Sequence, residues 1–266
     1  PRLLVSRPPW LRIKDRFRGH PEGSELRKKL SRSLRDTTEI DGSKRFTALR
    51  GNVNLYRLYI ERSLQLVRDG GKIRIIVPDT VLREKSSVAL RKMIVEQNQW
   101  VSSWWFPEPQ RIFPGTSQGV CVIGVEVGGK TEMMTSFGPL RSDDISTKTG
   151  LDNSSPFIEM ERGPWSVWTD MTWAVPRMPR DDFSRRAVLK AIGVLADQPR
   201  LGEEGNWLNP SDEPIRVRVG EIDQSKWSTD IGSWNEDSDG VPFIRGSHFL
   251  LEEGRVSIRH PAYDAS

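Results

Sequence analysis

The chain has 266 residues, 36% hydrophobic and 29% charged, with a formal net charge of +4. That composition is globular and excludes collagen-like, coiled-coil and largely disordered chains. One cysteine and three scattered histidines (His20, His248 and His260) exclude a disulfide framework and a Cys/His metal site. The longest apolar run, Val120 to Val127, is strand length and far short of the ~20 residues of a membrane span. A soluble, cytoplasmic protein without a structural metal is the expectation.

The charge is unevenly distributed. Residues 1–128 carry 24 Lys and Arg against 13 Asp and Glu, a balance of +11, whereas residues 129–266 carry 16 against 23, a balance of −7. The densest stretch, Arg12 to Arg50, has 12 basic and 6 acidic residues. A polyanion meeting the first half is one reading; a solvated, Arg-rich helix face is the other.

In chain order, Leu3 to Ser6 predicts a buried strand stopped by Pro8-Pro9. The chain opens at Pro1 directly on this strand, which reads as a fragment. Arg12 to Gly51 is a polar surface excursion with one helix around Glu25 to Leu34. From Asn54, apolar spacing through Leu55, Tyr56, Leu58, Tyr59, Ile60, Leu64 and Val67 predicts a helix with a Gly70-Gly71 stop. A strand follows from Ile73 to Val77, ended by Pro78-Asp79. A helix over Ser86 to Gln97 and strands over Val101 to Phe106 and Gly119 to Val127 come next. Strand, helix, strand, helix, strand is the pattern of a doubly wound α/β sheet. The last two strands either continue its parallel series or pair as an antiparallel hairpin at the sheet edge. In such sheets ligands sit beyond the carboxyl ends of strands. That singles out the turns Ser6 to Trp10, Pro78 to Thr80 and Ile112 to Gly115.

After Gly128-Gly129 the rhythm breaks. Residues 130–180 are turn-rich, with Trp165, Trp168 and Trp173 expected to pack a second domain on the first; Trp100, Trp104 and Trp105 read as core or sheet-edge residues. A helix over Asp182 to Leu195 follows, then short strands at Ile215 to Val219, Val241 to Ile244 and Val256 to Ile258. The expected organisation is a partial first domain over residues 1–128 and a smaller mixed α+β domain over residues 129–266.

The sharpest local signal is Pro8-Pro9-Trp10 after an apolar strand. Two prolines fix the backbone and withhold their N–H groups, leaving carbonyls able to accept from a substrate amine, and the aromatic offers a face for a planar ring. Here the chain resembles the strand-then-Asn/Asp/Ser-Pro-Pro-aromatic motif of DNA adenine-N6 methyltransferases, which use S-adenosylmethionine. Asn54 to Arg62, Leu66 to Gly71 and Ile75 to Asp79 are similar to the block that follows the motif in the large restriction-modification methylases. Ile112-Phe113-Pro114-Gly115 resembles the segment whose Phe packs on an extruded adenine, and Pro242 to His248 the opening of the DNA-recognition domain.

The resemblance implies the C-terminal half of a Rossmann-like methyltransferase sheet and the start of a target-recognition domain. It implies catalytic positions Arg7, Pro8, Pro9 and Trp10, with Trp10 and Phe113 stacking on a flipped base in duplex DNA. The Pro8 carbonyl would accept from the adenine amine. Arg12, Lys14, Arg16, Arg18, Arg245 and His248 would contact DNA, and a restriction subunit, linked or separate, is an implied partner. At Arg7, where the family has an acceptor, the side chain is donor-only. That implies either an inactive copy or a damaged end of a truncated reading frame. The Phe-x-Gly-x-Gly cofactor loop is also missing from the sequence. Asp79, at a strand end, is expected to be structural. Methylation of a protein glutamine or an RNA base, and a non-catalytic DNA-binding or scaffold module, are the alternatives.

Overall fold

The computed structural model describes residues 2–51, 53–108, 118–146, 150–151, 155–198, 249–252 and 255–258. The chain falls into two compact units, Pro1–Gln198 and Pro199–Ser266.

In the first unit, β1 (Leu3–Ser6) leads through α1 (Ile13–Arg16) and α2 (Gly23–Asp36) to α3 (Leu55–Leu66). Then come β2 (Lys72–Pro78), α4 (Val88–Gln97), β3 (Asn98–Phe106) and β4 (Val120–Val127). β5 (Met133–Phe137), the small pair β6 (Ile145–Ser146) and β7 (Gly150–Leu151), β8 (Phe157–Glu161), α5 (Arg162–Trp168) and α6 (Asp182–Ala196) complete it. Six strands form one sheet in the order β1-β2-β4-β3-β5-β8. β1 is parallel to β2 and β3 is parallel to β5, while β4 runs antiparallel to both β2 and β3. This is a mixed α/β sheet.

The expected hairpin of β3 and β4 forms, but in the sheet interior and not at its edge. The reason lies in β4 itself: Cys121, Ile123 and Val125 are sealed on one face while Val120 and Gly124 are buried as well. A strand apolar on both faces belongs between neighbours. Ile73, Ile75 and Val77 stand opposite Val125, Ile123 and Cys121 across the β2–β4 pairing. That face packs on Tyr56, Ile60 and Leu64 of α3 and on Leu90, Ile94 and Val95 of α4.

The sheet continues past residue 128: β5 and β8 lie beyond it and pair with β3 and each other. Trp165 and Trp173 are fully buried in the same core as Trp100, with ring centroids 5.9 Å (Trp100–Trp165) and 5.2 Å (Trp165–Trp173) apart. These tryptophans pack residues 129–198 into the first unit. Trp105 is also core, and Trp104 packs on a smaller cluster around Phe106, Val120 and Leu140.

The excursion between β1 and α3 has its own small core. Ile13, Leu49, Val53 and Leu58 are buried together, with Leu30, Leu34 and Phe46 against them. Buried Glu61 of α3 pins its far end, accepting from Thr47 Oγ1 at 3.0 Å and Ala48 N at 3.1 Å.

In the second unit, β9 (Phe249–Glu252) and β10 (Arg255–Ile258) form an antiparallel hairpin. The strand expected at Val256 to Ile258 is part of it; those at Ile215 to Val219 and Val241 to Ile244 lie outside the described residues.

Candidate functional site

The carboxyl ends of the neighbouring parallel strands β1 and β2 are both closed by proline, Pro8-Pro9 and Pro78. Proline has no N–H to continue the ladder, so each strand stops there and the chain turns off the sheet. Between the two exits lies a cleft of about 440 Å³ lined by Trp10, Leu11, Arg12, Asp15, Asn54, Tyr56, Pro78, Thr80, Glu84 and Gln118.

Trp10 is half-buried and anchored by its ring nitrogen, which donates to the Ile76 carbonyl at 3.2 Å. The Arg7 guanidinium carbon stands 4.9 Å from the Trp10 ring centroid, so one ring face carries a cation. Pro8 is buried and Pro9 exposed; of the four motif residues, Trp10 lines the cleft.

The opposite wall comes from α3 and the turn after β2. Tyr56 Oη and Thr80 Oγ1 are 3.2 Å apart and hydrogen-bonded. Arg57 donates to Glu84 at 2.9 Å and to the Ser86 carbonyl at 3.2 Å, tying α3 to that turn. Asn54, the residue that opens α3, is 7% exposed and its Oδ1 accepts no hydrogen bond.

Beneath the turn, buried Asp79 accepts from Trp105 Nε1 at 2.8 Å and from Arg83 Nη1 at 3.4 Å. Arg83 stacks on Trp105 with its guanidinium carbon 4.4 Å from the ring centroid, and burial pulls its pKa down to about 10 against the opposing pull of Asp79. A Cβ at Gly119 would stand 2.7 Å from Asp79 Oδ2, so glycine is required there for the carboxylate to fit. These contacts tie the turn after β2 to Trp105 of β3 and to Arg83.

Among the basic residues expected to meet DNA, Arg12 and Arg18 both pair with Asp15, at 2.6 and 3.0 Å. Arg16 is exposed, its guanidinium 6.0 Å from the Phe17 ring, and Lys14 lies in α1 between them. Of these, Arg12 lines the cleft beside Trp10. Phe113, Arg245 and His248 lie outside the described residues. Asn54, Tyr56, Thr80, Glu84 and Asp15 were not singled out as site residues from sequence. Of these, only Thr80 carried a positional signal, at the end of a strand; Asn54 read as a helix start.

The described residues do not make a complete site for S-adenosylmethionine. An amino-acid carboxylate is held by a run of backbone N–H groups. Here both strand ends at the cleft are prolines, and the sequence has no Phe-x-Gly-x-Gly loop. Among the described residues, no group of three or more His, Cys, Asp or Glu could hold a metal ion, and no helix is long and apolar enough to cross a membrane.

Residues 5–113 match the family model described as Eco57I restriction-modification methylase. This is the kind of enzyme that the Pro-Pro-Trp turn and the block after it resemble. No curated protein matches the sequence. Among solved structures, a modification subunit of a putative type I restriction enzyme from Vibrio vulnificus YJ016 is 12% identical, with a TM-score of 0.36 over 56% of this chain and 28% of that one. The type IIG restriction endonuclease BpuSI is 17% identical, with a TM-score of 0.42 over 65% of this chain and 20% of that one. The M protein of the type I restriction enzyme EcoKI is 12% identical, with a TM-score of 0.42 over 73% and 47%. The chain therefore spans less than half the length of each of these proteins.

Proposed function

We propose that this chain is part of a restriction-modification DNA methyltransferase that acts on the N6 amine of an adenine turned out of duplex DNA. The observation that carries the reading is the family match over residues 5–113, with the Pro8-Pro9-Trp10 turn inside it and Trp10 at a cleft beyond the strand ends. S-adenosylmethionine is the methyl donor that the resemblance implies; the described residues supply the base side of the reaction. An adenine in a stacked duplex is out of reach, so it must leave the helix. Trp10 would take its flat face, an interaction worth about 1–3 kcal/mol per base and an offset to the cost of unstacking. The Pro8 carbonyl would accept from the amine, keeping electron density on the nitrogen. Phe113 would be the second stacking face. Arg12, Lys14, Arg16 and Arg18 would meet phosphates, positioning DNA without reading sequence. Residues 199–266, which include Arg245 and His248, would begin the target-recognition domain, with a restriction subunit as further partner.

A second reading, a non-catalytic DNA-binding module, has one observation in its favour: Arg7 replaces the motif's acceptor and covers a face of Trp10.

The test is duplex DNA binding by fluorescence anisotropy, followed by transfer of labelled methyl from S-adenosylmethionine to genomic DNA, by the chain with a Phe-x-Gly-x-Gly cofactor-binding segment joined ahead of β1. With four phosphate contacts, affinity should fall about a hundredfold between about 50 and about 200 mM salt. Absence of duplex binding at low salt would overturn both readings. Label in N6-methyladenine, in the wild type or in Arg7→Asn, supports the enzyme. Binding without label in either chain supports the module.

A further inference from the structure

We propose that Asn54 reads the base in the cleft: its side-chain amide pairs with the edge of an adenine, accepting from the exocyclic amine and donating to ring N7. The inference deepens the methyltransferase reading and rests on it for the identity of the ligand. An Asn at the start of a helix ordinarily turns its side-chain oxygen onto a backbone N–H two or three residues on. Asn54 stands at that position before α3 with extended backbone (φ −112°, ψ 128°) and makes no such bond. Its Oδ1 is instead enclosed, without a hydrogen-bond partner, in a residue that lines the cleft.

The backbone around it is fixed. Leu55 N donates to the Leu11 carbonyl at 3.1 Å and Ile13 N to the Val53 carbonyl at 3.0 Å. Arg12 bridges to Asn54 itself. The segment that carries Trp10 and the residue that carries the amide are therefore stitched together. Exposed Gln118 aside, the other polar side chains of the lining are matched: Tyr56 with Thr80, Glu84 with Arg57, Arg12 with Asp15. The Asn54 carbonyl is left over.

A buried polar group without a partner is rare. Asn54 Oδ1 is closed to solvent, so it meets a ligand only when the side chain turns toward the cleft. A half-turn of the last side-chain torsion exchanges the carbonyl and NH₂ ends of the amide, so both a donor and an acceptor are on offer. The complementary ligand is planar, with an amine donor beside a ring acceptor. Adenine presents that pair at N6 and N7, and the Asn amide is its bidentate match. With the ring plane against Trp10, its edge would meet the amide.

The experiment is equilibrium dialysis of the full chain against adenosine, purine riboside (no amine) and 7-deazaadenosine (no N7). Anisotropy with a duplex carrying one unpaired adenine or purine accompanies it. Wild type should prefer adenosine over purine riboside about tenfold. Asn54→Ala, which breaks no existing cap bond, should keep the wild-type melting temperature, lower that ratio while the Pro8 carbonyl still accepts from the amine, and abolish the wild-type preference over 7-deazaadenosine. Asn54→Asp keeps an acceptor but loses the donor: the preference over purine riboside should remain, and that over 7-deazaadenosine should vanish. Should Asn54→Ala fail to fold, the Asn54→Asp pattern alone decides. The proposal is overturned if the preference over 7-deazaadenosine survives in Asn54→Ala. It is equally overturned if wild type shows no preference or binds none of the nucleosides. Duplex binding without a nucleoside preference would sink the Asn54 role alone. A preference that depends on Asn54, with no duplex binding, would sink the methyltransferase reading alone.

Discussion

Asp144 shows how much a single carboxylate fastens in this fold. It accepts from both ends of the Arg180 guanidinium, at 2.7 and 2.6 Å, and from Arg141 N at 2.6 Å, while Arg180 also donates to the Pro139 carbonyl at 3.1 Å. Hydrogen bonds from Arg180 hold the Asp144 carboxyl below the usual carboxylate range. Asp144→Asn keeps the shape and removes the charge. Because Arg180 is about a third exposed, the expected cost is ~1–2 kcal/mol in urea unfolding and not the larger penalty of a sealed pair. The pH dependence follows from the direction of the shift. A carboxyl whose pKa is lower folded than unfolded stabilises above its unfolded value, about 3.9, and that stabilisation is lost as pH falls through the folded value. The gap between wild type and Asp144→Asn should hold from neutral pH to about 5 and close below about 4. A gap independent of pH would mean that the ion pair contributes nothing.

At the scale of elements, the excursion from α1 to residue 51 is fastened to α3 by one buried acid. Glu61 is 1% exposed and accepts from the Thr47 hydroxyl and the Ala48 amide. Removing it leaves the Thr47 hydroxyl and the Thr47 and Ala48 backbone N–H groups without this acceptor, at about 1–3 kcal/mol. Glu61→Ala should therefore release residues 37–51 to limited proteolysis, at Lys44, Arg45 or Arg50 by trypsin, before the sheet is cut. Cleavage first at Lys72 or Arg74 of β2 would show that the excursion is held in some other way.

Elements with strong periodicity were legible in the sequence: α3, β2 before Pro78, and β4 with its run of Val and Ile. The Gly70-Gly71 stop expected for α3 lies beyond its end, since the helix closes at Leu66 with extended Val67 as its cap and Gly70 sits in the turn to β2. β5 and β8 were not. Five residues each and rich in Ser, Thr, Met and Glu, they do alternate buried and exposed, but over runs too short and polar to stand out, and pairing of β5 with β3 and of β8 with β5 defines them. Asn54 was named in the sequence only as a helix start. Its missing cap bond is a fact of three dimensions, invisible in the residue string. Arg7 was legible as a departure from the motif, but its place on the Trp10 ring was not.

For the molecule as a whole, charge and topology divide the work. The basic half, residues 1–128, contains the cleft with Arg12 in its lining, while the acidic half contributes β5 and β8 to the same sheet. Long-range steering of a polyanion would thus favour one end of the chain. The centre of the sheet holds the chain's single cysteine. Cys121 is fully buried on β4, its Sγ 3.9 Å from the Pro78 carbonyl, and burial pushes its thiol far above the usual range. With strands on both sides, it meets solvent only when the sheet parts. The rate at which a thiol reagent labels it then becomes a clock for opening of the whole unit. Labelling should be as slow as global unfolding and should accelerate with urea along the same slope. Rapid labelling in the native state would mean that β4 separates from its neighbours on its own, and that the turn after β2, which forms one wall of the cleft, parts from them with it.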